Sequence, residues 1–239
     1  MNNLSGKVVC ITGASRGLGQ AIAEAFDAAG ARLVIASRSQ GALDELARSL
    51  KDAIAVQTDV RDARDLDRLV SAAVGEFGHL DIMINNAGLA VYGPVDKTSV
   101  EAVNQMIDTN LKGVIFGSQS AFRIMKDQRS GHIINISSIA GKLHLKNEAV
   151  YNASKWGVNG FSGTLALEAA HFGVKVTTLC PGGIATPFWK EQDFYPFPDH
   201  LDPQRDFLDP NVVAQAVVDL AKMPKDSLAL EMVMQPMIP

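Results

Sequence analysis

Seven short runs rich in β-branched residues recur along the chain, at 7–12, 32–37, 53–57, 81–85, 132–137, 174–180 and 228–234. A longer stretch with helical periodicity fills each interval, at 18–29, 41–50, 64–77, 100–126, 151–171 and 210–222. Several of the short runs are apolar on consecutive residues, as strands covered on both faces must be. Strand and helix alternating this many times predict an α/β fold of Rossmann type. That is a doubly wound parallel sheet of about seven strands, with helices on both faces. Gly30 and Gly78 stand where helix stops belong. No linker or repeat divides residues 1–239, so a single domain is expected. The irregular stretch is 187–210, where aromatics, prolines and acids replace any period, and it reads as a lid on the substrate side.

Composition mainly excludes. A net charge of −4 gives no electrostatic reason to expect nucleic acid. The charged run at 61–68 alternates in sign and reads as a solvated helix face. No apolar run approaches the roughly 18 residues of a spanning helix, and no signal-like segment opens the chain, so no membrane partner and a cytoplasmic location are expected. Cys10 and Cys180 fall in different central strands, three strand spacings apart in such a sheet, which is too far for a disulfide. The five histidines show no HExxH or paired spacing, so no metal is expected. The Gly-x-Ser-x-Gly elbow of hydrolases is also missing.

Two stretches carry chemistry. Thr12-Gly13-Ala14-Ser15-Arg16-Gly17-Leu18-Gly19 ends the first strand and opens the first helix. Glycines there allow a tight turn and a close approach of backbone to a pyrophosphate, which would face the amides and positive dipole end of the helix. Cofactor choice should be written at the end of the second strand, where an acid would bind the adenosine ribose and repel a 2′-phosphate. This chain reads Ser37-Arg38-Ser39 and has no acid there. Arg38 and Arg16 could both reach a 2′-phosphate, which favours NADP(H), with NAD(H) as the alternative.

The second stretch is Tyr151-Asn152-Ala153-Ser154-Lys155, which starts 13 residues after Ser138. On a helix, Tyr151 and Lys155 share one face at i and i+4. The ammonium would favour phenolate and draw the phenol toward working pH. Ser137 and Ser138 are adjacent, so alternation sends them to opposite faces of the strand end. His144 falls between Ser138 and Tyr151, on the loop expected to border the substrate, where a solvated loop histidine is an equal reading.

In order along the chain, Thr12–Gly19, Asp59-Val60, Asn85-Asn86-Ala87-Gly88, Asn110, Ser138 and Tyr151-x-x-x-Lys155 resemble the short-chain dehydrogenase/reductase family. Pro181-Gly182-Gly183-Ile184-Ala185-Thr186 matches that family's PG motif, and the resemblance runs from residue 7 to about 186. It implies a catalytic tetrad of Asn110, Ser138, Tyr151 and Lys155, its 13-residue spacing selecting Ser138 over Ser137. Tyr151 would be the general acid or base, Ser138 would hold the substrate oxygen, and Lys155 would bind the nicotinamide ribose. Asn110, inside a long helix, would hold a water of a proton relay. The cofactor would meet Gly13, Ser15, Arg16, Gly17, Leu18 and Gly19 in the first turn, Ser37 and Arg38 after the second strand, and Asp59 and Val60 at the adenine. Asn85, Ala87 and Gly88 would line the adenosine side, and Pro181, Gly182, Ile184 and Thr186 the nicotinamide.

The function so implied is an NADP(H)-dependent oxidoreductase that moves a hydride between nicotinamide and a carbonyl or secondary alcohol. The alternative is a sensor that binds NADP(H) without turnover. The substrate would be a small molecule against the aromatics Phe188, Trp189, Phe194, Tyr195 and Phe197. The resemblance also implies a homotetramer, or a homodimer, joined through 100–126 and 151–171, whose outer faces would carry Phe116, Phe122, Phe161 and Leu165.

Overall fold

The computed structural model describes residues 4–192, 194, 196–198 and 200–237. Seven parallel strands form one sheet in the order β3-β2-β1-β4-β5-β6-β7. They are β1 Val8–Thr12, β2 Arg32–Ser37, β3 Ala53–Gln57, β4 Ile82–Asn85, β5 Gly131–Ile136, β6 Val174–Pro181 and β7 Glu231–Met234. The helices are α1 Gly17–Ala28, α2 Gln40–Ser49, α3 Ala63–Phe77, α4 Val100–Ile107, α5 Gly113–Gln128, α6 Ala149–Ala170, α7 Pro203–Asp206 and α8 Pro210–Ala221. The expected α/β, doubly wound architecture is therefore present. Strand order reverses between β1 and β4, which opens a crevice beyond their carboxyl ends, where ligands of such sheets bind.

Period-two alternation divides the core. Val9 and Ile11 face α1, α2 and α8 together with Ile22, Phe26, Leu43, Leu46, Val213 and Val217. Val8 and Cys10 face α3, α5 and α6 with Leu69, Val70, Met125 and Ala166. Each large side chain buried here stabilises the fold by about 1.5–3 kcal/mol of transfer free energy. Cys10 and Cys180 are free and buried, separated by β4 and β5.

Helix ends follow local chemistry. Asp62 caps α3 by accepting from the Arg64 amide, and Gly78 closes it at φ 84° in the left-handed region. The run at 61–68 pairs with its own carboxylates, through Arg61–Asp59, Arg64–Asp62 and Arg68–Asp65, on an exposed surface.

Two expectations about elements change. The helix expected over 100–126 is interrupted by a π-helical turn at Asp108–Lys112, which Asn110 occupies. One-turn π insertions of this kind are frequent at functional sites. The last strand is shorter than 228–234: it begins at Glu231, although the Leu230 carbonyl already accepts from the Thr178 amide. Leu165, expected on an outer face, is buried in the core, because α6 lies against β6 over that turn. Phe122 and Phe161 pack against the same cluster. Leu167 and Trp156 are exposed on α6 instead. No helix among the described residues is long and apolar enough to cross a membrane.

Candidate active site

The crevice beyond β1 and β4 is a cleft of about 800 Å³. One end is built by the glycine turn. An added Cβ on Gly19 would lie 2.1 Å from the Gly13 carbonyl oxygen, and one on Gly13 would lie 2.8 Å from the Ala87 Cα. Gly13 also has φ +67°, which disfavours any side chain there. Thr12 couples this turn to β4, because its hydroxyl accepts from the amides of Asn86 at 3.0 Å and Ala87 at 3.1 Å. Asn86 donates to the Thr12 carbonyl at 2.9 Å. A backbone wall packed this closely, at the start of a 12-residue helix, fits a dinucleotide pyrophosphate.

Gly13, Ser15, Arg16, Gly17, Leu18, Gly19, Ser37, Arg38, Asp59, Val60, Ala87, Gly88, Pro181, Gly182, Ile184 and Thr186 all line the cleft. Arg38 is exposed, and its carbonyl is held by Gln57 Nε2 at 3.0 Å. The Arg61 guanidinium, bonded to Asp59, holds that carboxyl below its ordinary range, with burial opposing the shift.

Asn85 does not line the cleft. It lies beneath it, donating to Ser118 Oγ at 3.1 Å and Asn135 Oδ1 at 2.8 Å, while Asn135 donates to Ser162 Oγ at 2.9 Å. This buried polar ladder ties β4 and β5 to α5 and α6. Alternation explains the exchange: Asn85 points under the sheet, and Asn86 takes its place at the cleft wall.

At the other end, Ser138, Tyr151 and Lys155 converge. The Ser138 hydroxyl accepts from the Ala140 amide at 3.1 Å and lies close enough to the Tyr151 phenol to draw its pKa down. Ser137 is occupied elsewhere, donating to the Lys155 carbonyl at 3.2 Å. Lys155 is buried, and its Nζ donates to the Ile136 carbonyl at 3.0 Å and stands 5.7 Å from the Tyr151 ring centroid.

The electrostatics differ from the sequence expectation. Burial pushes the Tyr151 phenol up to about 12; Ser138 draws it down, and the Glu148 charge raises it further. Burial also lowers Lys155 to about 8. Desolvation thus dominates the ionisation of both groups.

Asn110 is fully buried and almost saturated. It accepts from the Leu89 amide at 2.9 Å, and donates to the Leu89 carbonyl at 2.8 Å and to Ser154 Oγ at 3.1 Å. Its side-chain amide is therefore committed to the loop after β4 and to α6. Gly88 fits between the two elements, where an added Cβ would lie 3.4 Å from Asn110 Oδ1 and 3.7 Å from Lys155 Nζ.

The lid is partly a packed cluster. The Trp189 indole donates to the Ile184 carbonyl at 2.7 Å, and its ring meets Phe197 and Phe207 at 5.1 and 5.2 Å. Phe188, Trp189 and Phe197 line the cleft, Phe194 is exposed away from it, and Tyr195 lies outside the described residues. His144 also stays out of the cleft, stacked on exposed Trp156 with centroids 5.5 Å apart.

Tyr92 and Glu148, which line the cleft, carried no recognised sequence signal. Tyr92 stacks on Trp189 at 6.0 Å and meets the Tyr151 ring edge-on at 5.7 Å. Glu148 stands three residues before Tyr151, at the N-cap of α6, a spacing that could have revealed it. Among the described residues, no group of three or more His, Cys, Asp or Glu side chains could hold a metal.

The family model for short chain dehydrogenase matches residues 7–194. The chain belongs to this family. An uncharacterized oxidoreductase of Staphylococcus epidermidis is 34% identical over 237 residues, covering 99% of this chain and 100% of the relative. Among solved structures, a serine dehydrogenase complexed with NADP+ superposes with TM-score 0.89 at 32% identity, covering 96% of this chain and 94% of that one. An alcohol dehydrogenase of Thermococcus sibiricus complexed with 5-hydroxy-NADP gives TM-score 0.88 at 27% identity, covering 98% and 97%. This short-chain dehydrogenase is thus an oxidoreductase by family.

Burial of Glu148 has a thermodynamic consequence. Its carboxyl is pushed up from 4.5 to about 7. Between those values the folded state holds more protons than the unfolded state, so this group's stabilisation is lost as pH rises through the window. Glu148→Gln should therefore gain on the wild type between about pH 4 and pH 8, as followed by urea unfolding at both. An unchanged difference between the two proteins would contradict the shift.

Proposed function

We propose that the protein transfers a hydride between NADP(H) and a carbonyl or secondary-alcohol substrate. The observation that carries the reading is the meeting, in one cleft, of the glycine wall with Ser138, Tyr151 and Lys155. When bound, the nicotinamide supplies or takes the hydride. Tyr151, with its pKa at about 12, stays protonated at neutral pH and can give its proton to an oxygen that gains charge. Ser138 holds that same oxygen and steadies the phenol. Lys155 binds the nicotinamide ribose and carries positive charge below its pKa of about 8. Asn110 acts as a positioning residue, fixing Leu89 and the turn of α6 that bears Lys155. The segment 187–210 serves as the lid.

NADP(H) is the preferred cofactor in this reading. Arg16 and Arg38 supply charge where a 2′-phosphate would lie, and no acid stands at the end of β2. The NADP complexes of the similar structures point the same way. We assign a cytoplasmic location and a homotetramer or homodimer built on the helical faces that expose Val100, Trp156 and Leu167. Steady-state oxidation of NADPH against a carbonyl panel tests the reaction class, and the absence of carbonyl-dependent consumption would overturn it.

A further inference from the structure

The substrate end of the cleft contains one acidic side chain among aromatic and apolar walls. Glu148 is 5% exposed and lines the cleft. No donor or cation of the described residues meets its carboxyl group, whose ionisation is shifted by burial alone. It sits at the N-cap position of α6 without capping the helix. The backbone fixes it there. Asn147 has φ +66°, a left-handed conformation that asparagine tolerates, and its carbonyl accepts from the Gly93 amide at 2.8 Å. The Glu148 carbonyl then accepts from the Asn152 amide at 2.7 Å.

An unpaired buried carboxylate is unfavourable unless a cation joins it. The other charged side chains on the cleft wall are Arg16, Arg38, Asp59 and Arg61 at the adenosine end, and Lys155, which is bonded to the Ile136 carbonyl. Glu148 is near enough to Tyr92 and Tyr151 for its charge to raise both phenols. The substrate end thus offers an anion beside aromatic rings, a combination that attracts an ammonium group through both charge and ring faces.

We propose that Glu148 is a specificity-determining residue that binds an ammonium group on the substrate, so that the enzyme acts on amino alcohols and the matching amino ketones. The inference rests on the hydride-transfer reading above. Glu148 and Tyr151 line the same end of the cleft, close enough for the carboxylate to raise the phenol, so an amine one or two carbons from the reacting carbon suits the site. In oxidation, the carbinol C–H bond breaks and its hydride goes to NADP+. The hydroxyl proton passes to Tyr151 as the phenol gives up its own proton toward solvent, the C=O bond forms, and the ammonium keeps its protons throughout.

The test uses the full-length protein with NADP+ and an isosteric pair, 2-amino-1-phenylethanol and 1-phenyl-1-propanol. Both oxidation rates and calorimetric binding are measured, for the wild type and for Glu148→Gln. We expect kcat/KM to favour the amine at least about 10-fold in the wild type, the scale of one charge-assisted hydrogen bond, and the ratio to collapse in the variant. Turnover of both alcohols at a ratio near one would overturn the inference and leave the hydride reading standing. Tighter binding of the amine, lost in Glu148→Gln, with no turnover of either alcohol would uphold the recognition and count against the reaction. Absence of any binding preference would overturn the inference whatever the turnover.

Discussion

Replacing Tyr151 by Phe should cut turnover by about 10²–10⁴-fold, the usual loss when a general acid is removed, while nucleotide affinity stays near the wild-type value. The substitution deletes a single oxygen. The ring keeps its edge-on contact with Tyr92 at 5.7 Å, and Lys155 keeps its bond to the Ile136 carbonyl. Folding should therefore be little affected, and the deficit should reside in kcat. The proton's source makes this a sharp test. Ser138 is the phenol's neighbour, but a serine hydroxyl is too weak an acid to replace it near neutrality. Lys155 is held in the wall by the Ile136 carbonyl, its Nζ 5.7 Å from the ring centroid. Single-turnover measurement with saturating nucleotide separates this chemical deficit from product release. Near-normal single turnover in the variant would place the proton donor elsewhere.

The second large effect concerns the nucleotide. Arg38→Asp should lower kcat/KM for NADPH by roughly 100-fold and leave that for NADH within a few-fold. A charge-assisted hydrogen bond contributes about 1.5–3 kcal/mol, and each 1.4 kcal/mol is tenfold. The new carboxylate adds repulsion against a 2′-phosphate and, at the end of β2, can accept from ribose hydroxyls instead. Exposure of Arg38 makes the exchange tolerable for the fold, since only its carbonyl is tied down, by Gln57 at 3.0 Å. Equal losses for the two nucleotides would put the 2′-phosphate at another site.

Several parts of this molecule could be read directly from its residues. Consecutive apolar positions marked the strands because a parallel sheet covered on both faces leaves no polar edge along a strand, and β2 and β3 begin and end where the pattern did. The glycine turn was legible for a steric reason: an added Cβ at Gly19 meets backbone at 2.1 Å. What escaped depended on contacts distant in sequence or on small backbone changes. The π turn holding Asn110 needs one extra residue per turn, and no hydrophobic period announces it. Asn85 and Asn86 differ only in the face they present, and the polar ladder to Asn135 decides it. Tyr92 joins the site through rings nearly 60 and 100 positions away, Tyr151 and Trp189. The burial of Tyr151 was not legible either: an i, i+4 spacing announces a nearby ammonium, but not the desolvation that pushes the phenol up.

The most direct measurement is the rate of NADPH and NADH oxidation by the purified protein, with and without a mixed panel of ketones, aldehydes and amino ketones. Carbonyl-dependent consumption that favours NADPH and nearly vanishes in Tyr151→Phe is expected. Tight NADPH binding with no carbonyl-dependent consumption would contradict hydride transfer and leave a nucleotide sensor as the reading of this cleft.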